Sequence, residues 1–141
     1  MKDGDTQVTC RYCTDAGDIG EKVADLEVSR LWLTKDQTYR GRCILSLKEH
    51  KTEFFQLEGE ELQAFARDMA KASKALYKAF SPGKINYAAF GDTYPHLHFH
   101  LVPKYPDGKS WGSAFELPLS NDKLASKEEL AALVKEIQKH L

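Results

Sequence analysis

The stretch "YPHLHFHLVPKY", residues 94–105, places three of the chain's five histidines at every second position. Alternate side chains of a β-strand share one face, so we predict a strand whose His96, His98 and His100 point the same way. The apolar residues between them would face the core. One metal ion shared by all three is a poor fit, because at roughly 3.3 Å per residue the outer two Cα atoms lie about 13 Å apart. We therefore expect the three histidines to have different roles.

Outward from this stretch, alternating and apolar runs predict further strands. "LEVSRLWLT" and "RCILSL" flank a turn-forming segment and read as a hairpin, and "TEFFQL" reads as an extended segment before a helix. A further edge strand is expected around Phe115, within an otherwise loop-like region. The predicted strands and extended segments are residues 26–34, 42–47, 52–57, 84–90 and 96–103.

Two helices are predicted from apolar residues spaced by three and four positions. The longer covers residues 58–80 and stops at "SPG". The shorter lies at about 126–140, where Ser126 and Glu129 form a capping-box pattern. We therefore predict an α+β fold, an antiparallel five-stranded sheet with one long helix and a C-terminal helix, in a single domain over residues 1–141.

Composition narrows the classes of function. The net charge of -1 and pI of about 6.5 argue against a binder of nucleic acid polymers. No run is long and apolar enough for a membrane span, and the N-terminal residues do not resemble a signal peptide, so we expect a cytoplasmic protein without a membrane partner. Three cysteines in such a chain disfavour a disulfide framework, and "CRYC" is typical of metal binding or redox chemistry.

Three interpretations of the histidines remain open from residue chemistry. The first is a solvated sheet face, and the second is a metal site using two neighbouring rings. The third is nucleophilic catalysis, since a neutral imidazole is a competent nucleophile near pH 7. Phosphorus chemistry suits it, because flanking histidines can donate hydrogen bonds to phosphate oxygens or protonate a leaving group.

The pattern "HLHFHLV" resembles the signature of the histidine-triad (HIT) family of nucleotide hydrolases and transferases, and all seven positions fit. The order of hairpin, long helix and "INYAAF" strand is also similar, and the resemblance covers about residues 8–112. It implies a HIT-like fold, commonly a homodimer joined through sheets or long helices, with helix 58–80 as a candidate contact. It further implies a nucleotide substrate, expected to be a purine nucleotide, and it is nearest to bacterial enzymes related to diadenosine-polyphosphate hydrolases.

The resemblance implies a role for each histidine. His98 would attack the α-phosphate of a dinucleoside polyphosphate or nucleoside phosphoramidate and form a nucleotidyl-histidine intermediate. His100 would contact the phosphate, and His96 would lie nearer the leaving group or serve structure.

Four further residues are candidate nucleotide contacts by the same resemblance. Asn86 would lie near ribose and phosphate, and Thr93 would contact phosphate. Asp36 either binds ribose hydroxyls or is an ordinary turn acid. Trp111 either closes the site, from a partner subunit in some family members, or only covers the sheet edge.

One position departs from the family pattern. Asp92 stands where a glutamine is common, and its carboxylate would repel a polyphosphate unless it is paired or turned away. Lys104 either offsets that charge or is an ordinary solvated lysine. The departure keeps a second hypothesis open, a nucleotide-binding regulatory module with little turnover.

Bacterial histidine-triad proteins that this chain resembles hold zinc with a Cys-x-x-Cys pair, a histidine after the second hairpin strand and the first motif histidine. The implied ligands are Cys10, Cys13, His50 and His96. A closed set of four would be structural rather than catalytic. Two buried or free cysteines with a surface histidine are the alternative, and a purely structural or metal-buffering zinc protein is a third hypothesis for function. We expect no organic cofactor.

Overall fold

A computed structural model describes residues 10–14, 19–118 and 123–141 of the chain. The predicted domain and motif boundaries at residues 1 and 8 lie outside these residues. Within them the strands are β1 Gly20–Asp25, β2 Ser29–Thr34, β3 Cys43–Leu47, β4 Lys84–Ala89 and β5 His98–Lys104. The helices are α1 Gly59–Phe80, α2 Lys127–Gln138 and a short 3-10 turn, Phe54–Gln56.

The five strands form one sheet in the order β1-β2-β3-β5-β4, and every neighbouring pair is antiparallel. Alternation along the strands gives the sheet two different faces. Leu31, Leu45 and Leu101 point into the main core beneath α1 and α2. Trp32 and Ile44 face the opposite side, where the N-terminal segment covers them. The even-numbered histidines of β5 lie on this second face, because the odd-numbered Leu101 belongs to the core.

Helix α1 ends at Phe80, as its apolar stripe predicts. Its C-cap residue, Ser81, adopts a left-handed conformation with φ of 48°. A buried carboxylate ties the helix to the turn between β1 and β2. Asp68 accepts hydrogen bonds from the backbone N–H of Glu27 (3.1 Å), the backbone N–H of Val28 (2.9 Å) and the hydroxyl of Ser29 (2.6 Å). This contact fixes the helix against the sheet.

Helix α2 begins as predicted, because Ser126 and Glu129 form a reciprocal capping box. The helix packs beside the edge strand β1. That strand has a register irregularity between Lys22 and Ala24, and the Gln138 side chain donates to the Val23 carbonyl at 2.9 Å. Part of the sheet edge is thereby covered.

The prediction of a five-stranded antiparallel sheet with two main helices is confirmed, but the fifth strand was misplaced. The chain around Phe115 is not a strand, and β1 takes the edge position instead. The stretch 52–57 contains the 3-10 turn rather than an extended segment. His96 lies in a bend before β5 rather than in the strand. Among the described residues, no helix combines the length and apolar character needed to cross a bilayer.

Candidate functional site

Two cysteines and two histidines from distant parts of the chain meet at the second sheet face. This Cys/His cluster contains Cys10, Cys13, His50 and His96, whose candidate ligand atoms all lie within 4.8 Å of one another. The His96 Nδ1 atom is 3.3 Å from the Cys10 Sγ and 3.0 Å from the His50 Nδ1. The Cys13 Sγ is 3.1 Å from the His50 Nδ1 and 3.4 Å from the His96 Nδ1. The structure brings together the four residues named from the sequence.

The Cys/His cluster fits a tetrahedral zinc ion. Bonds of about 2.0–2.1 Å to nitrogen and about 2.3 Å to sulfur imply ligand separations of roughly 3.3–3.8 Å, close to those observed. His96 Nε2–H donates to the Leu47 carbonyl at 2.7 Å. The lone pair of the neutral ring is therefore on Nδ1 and is directed at the cluster. A coordination set of four protein ligands has no open position for water.

His98 is held in one tautomer by the backbone before it. Its Nδ1–H donates to the His96 carbonyl at 2.6 Å, so the lone pair of the neutral ring is on Nε2. Tyr12, between the two cluster cysteines, stacks on the His98 ring with centroids 4.4 Å apart and planes 23° apart. Burial lowers the pKa of His98; the hydrogen bond that His98 donates to the His96 carbonyl opposes this shift, and the charge of Arg11 adds to it. The ring is therefore neutral near pH 7 and suited to nucleophilic attack through Nε2.

His100 has the opposite arrangement, because its neighbour is a cation. The Arg42 Nη2 atom lies 3.3 Å from His100 Nδ1, and a guanidinium can only donate, so Nδ1 accepts and Nε2 carries the proton. Burial lowers the pKa of His100 to about 3, with the charge of Arg42 as the next cause and His98 as the third. His100 thus presents a neutral N–H donor suited to a phosphate oxygen.

His98 and His100 line a cavity of about 320 Å³, called here the histidine cavity. Thr93, the residue expected to contact phosphate, also lines it, and so does Asp92. Its remaining lining is mainly apolar and aromatic, with one cation: Arg11, Tyr12, Ile44, Phe90, Gly91, Tyr94, Leu117 and Pro118. A mostly apolar cleft with a few polar groups at one end is typical of a small-molecule site.

The other predicted nucleotide contacts lie elsewhere. Asn86 and Trp111 line a separate cavity and none of the histidine cavity, and the Asn86 amide oxygen accepts from Lys104 Nζ at 3.2 Å. Asp36 is buried, and its Oδ1 accepts from the backbone N–H and hydroxyl of Thr38 at 2.8 and 2.6 Å, as a turn acid does. The side chain of His96 belongs to the Cys/His cluster, and its carbonyl contacts His98.

Sequence reasoning missed three side chains around the histidines. Arg42 precedes β3 and reaches His100 across the sheet, where it also donates to the Leu117 carbonyl at 2.8 Å. Arg11 and Tyr12 lie between the cluster cysteines and line the histidine cavity. Arg42 gave no signal in the sequence. The other two were detectable in principle, because cysteines that share a metal with His96 must bring the residues between them close to His98.

Comparisons with known proteins identify the family of this chain. A profile of the HIT domain family matches residues 20–107. A Schizosaccharomyces pombe protein described as adenosine 5'-monophosphoramidase hnt1 is 27% identical over 140 residues, covering 91% of this chain and 100% of that protein.

Solved structures share the fold at lower identity. A histidine triad protein from Sinorhizobium meliloti has a TM-score of 0.79 at 20% identity, covering 87% of this chain and 90% of that one. A Zn-bound histidine triad family protein from Mycobacterium smegmatis has a TM-score of 0.68 at 19% identity, covering 95% and 96%.

Proposed function

This chain belongs to the HIT domain family, and we propose that it is a nucleotide hydrolase or transferase acting at the α-phosphate of a nucleoside phosphate derivative. The observation that carries the proposal is the hydrogen bond from His98 Nδ1–H to the His96 carbonyl, at 2.6 Å. It fixes the tautomer whose Nε2 lone pair is free to attack, in a ring that lines the histidine cavity.

The proposed reaction has two displacements at phosphorus. His98 Nε2 forms a bond to the α-phosphorus, and the P–O or P–N bond to the leaving group breaks with its electron pair. The leaving group takes up a proton from solvent. A water oxygen then bonds to the same phosphorus and loses a proton to solvent, while the P–N bond to His98 Nε2 breaks, which releases a nucleoside monophosphate and free His98. His100 Nε2–H stabilises charge on a phosphate oxygen, and Thr93 is a second candidate donor.

Two donor classes suit this site, dinucleoside polyphosphates and nucleoside phosphoramidates, and we expect a purine base. The name of the Schizosaccharomyces pombe relative favours the phosphoramidate class. Asp92 in the histidine cavity supports the same choice, since its carboxylate disfavours a strongly anionic leaving group. The same residue keeps the binding module as the second candidate.

We also propose that the Cys/His cluster holds a structural zinc ion. Cys10 and Cys13 come from the N-terminal segment, whereas His50 and His96 flank the sheet, so the ion would join the two. The solved zinc-bound relative supports this assignment. A homodimer, with α1 as a candidate contact, remains part of the proposal by family resemblance.

The test is intact-mass spectrometry after rapid mixing with adenosine 5'-phosphoramidate or diadenosine tetraphosphate, with an alkaline quench that preserves phosphohistidine. We expect an adenylyl adduct mapped to His98, absent in His98→Ala and retained in His140→Ala, a matched change at a histidine outside the cavity. A folded protein that binds either donor without adduct or released AMP would instead support the binding module.

A further inference from the structure

One hydrogen bond does not by itself fix the plane of the His98 ring. The bond from Nδ1–H to the His96 carbonyl, at 2.6 Å, holds one ring atom and leaves the ring free to tilt about it. Rotation about the bond between Cβ and an imidazole ring is only weakly restricted, because its torsional wells are broad. Attack through Nε2 needs the ring aligned with phosphorus, since a small misplacement of a reacting atom lowers the rate strongly. A second contact is therefore needed to hold the ring plane.

Tyr12 supplies such a contact over the flat face of His98. The two ring centroids are 4.4 Å apart and the planes are 23° apart, which is a stacked arrangement. Both side chains are buried, with exposed fractions of 3% for Tyr12 and 4% for His98. His100 meets the His98 ring at a steep angle of 63°, so among the described residues Tyr12 is the ring that stacks on His98. Tilting the imidazole would displace the tyrosine.

The position of Tyr12 depends on the two cysteines that flank it. Residues 10–14 form a turn outside the sheet, in which the Cys13 N–H donates to the Cys10 carbonyl at 3.1 Å. Tyr12 lies inside this turn, so it moves only if the turn moves. The apolar cluster beneath the turn is much smaller than the main core and includes two sheet residues, Trp32 and Ile44.

The sulfur atoms of this turn meet two imidazoles from other parts of the chain in the Cys/His cluster. Cys10 Sγ is 3.3 Å from His96 Nδ1, and Cys13 Sγ is 3.1 Å from His50 Nδ1. His96 precedes His98 by two residues, so a metal ion in the cluster would tie the turn to the segment that carries the nucleophile. The donor set fits zinc, and structural zinc sites order the segments that they join.

We propose that Tyr12 is a positioning residue that holds the plane of the His98 ring, and that zinc binding by the Cys/His cluster controls this contact. Loading the cluster fixes the turn between Cys10 and Cys13 and thereby the stack, whereas loss of the metal releases both. The metal thus regulates the orientation of the nucleophile without contacting the substrate. The kinetic part rests on the proposed function of His98, and the structural part does not.

Kinetics of variants separate positioning from substrate contact, because Tyr12 also lines the histidine cavity. Loss of a restraint on the nucleophile should lower kcat for adenosine 5'-phosphoramidate about tenfold in Tyr12→Leu, with KM changed by less than about twofold. Tyr12→Phe keeps the stack, so both constants should stay within about twofold of the wild type. Phe55→Leu, at an aromatic residue that is 77% exposed, is the matched control and should change neither constant.

The orientation of the ring is measured by proton NMR without substrate. In the zinc-loaded wild type we expect nuclear Overhauser contacts between the ring protons of Tyr12 and His98. We also expect the His98 ring protons to be shifted upfield by the ring current of the tyrosine. Both signals should disappear in Tyr12→Leu and when a chelator removes zinc from the wild type, and zinc added back should restore them. Circular dichroism should show a folded protein throughout, because the turn lies outside the main core.

Three results would overturn the proposal. The first is a folded Tyr12→Leu protein with the kcat of the wild type. The second is a raised KM at unchanged kcat, which would make Tyr12 a substrate contact instead. The third is a His98 spectrum that is the same with chelator as with added zinc. If either Tyr12→Leu or chelation unfolds the protein, the other decides. A wild type without turnover would count against the proposed function and leave the NMR result standing.

Discussion

Replacing Arg42 by methionine should change the proton position on His100. Arg42 is buried and donates to the carbonyls of Glu116 (3.1 Å) and Leu117 (2.8 Å), with His100 Nδ1 at 3.3 Å. Without that donor, the neutral His100 ring is free to place its proton on either nitrogen. The pKa of His100 should also rise, because the charge of Arg42 is its second cause of depression.

The magnitude follows from the length of the contact. A hydrogen bond to a charged group contributes about 1.5–3 kcal/mol, and a separation of 3.3 Å calls for the lower end. A loss of about 1.4 kcal/mol corresponds to about a tenfold fall in kcat/KM. Arg42→Lys keeps the charge but loses the forked donor, so an intermediate effect is expected.

Nitrogen-15 NMR of the histidine side chains measures the tautomer of His100 directly, without substrate. The expected result is protonated Nε2 in the wild type and a tautomer mixture in Arg42→Met. Arg40→Met is the matched control, since Arg40 is exposed and lies over the Phe80 ring. A folded Arg42→Met protein with the wild-type tautomer and kcat/KM within about twofold would refute the reasoning.

Three other changes test separate parts of the structure. Asp68→Asn leaves one acceptor oxygen for three donors and should lower the free energy of unfolding by about 2–3 kcal/mol, as measured by urea denaturation. Cys13→Ser should reduce bound zinc well below one ion per chain by metal analysis, whereas Cys43→Ala, in the buried core, should retain it. The pKa of His100 is depressed to about 3, so its folded form binds fewer protons than the unfolded chain. The free energy of unfolding should therefore fall as pH drops below about 6.5, by up to about 1.4 kcal/mol per pH unit from this group. The fall should be less steep in His100→Asn. Equal slopes for the two proteins in urea titrations at several pH values would contradict the assignment.

The elements that sequence predicted well are those with a strong local signal. Helix α1 has an apolar stripe along its 22 residues, and the start of α2 has its capping box. Strand β1 has only six residues, GEKVAD, of which five are charged or small, so its pattern is too weak to detect. It becomes a strand because β2 offers a partner on one side and α2 covers it.

The candidate site was predictable where one motif carries several roles. The shared face of His98 and His100 followed from strand geometry, whereas the separate role expected for His96 came from the family resemblance. Arg42 was not predictable, because its role depends on β3 and β5 being neighbours. The same holds for Asn86 and Trp111, which line a cavity separate from the histidine cavity.

The contact between Asp68 and the turn before β2 also bears on the kinetics of folding. Donors and acceptors lie 39 to 41 residues apart in the chain, and closing a loop of that length costs about 3 kcal/mol of entropy. The turn and the helix must both exist before the carboxylate reaches its three donors, so the contact should form after the rate-limiting step. Such late contacts slow unfolding and leave the folding rate nearly unchanged. We therefore expect the buried aspartate to lengthen the lifetime of the native state more than it speeds folding.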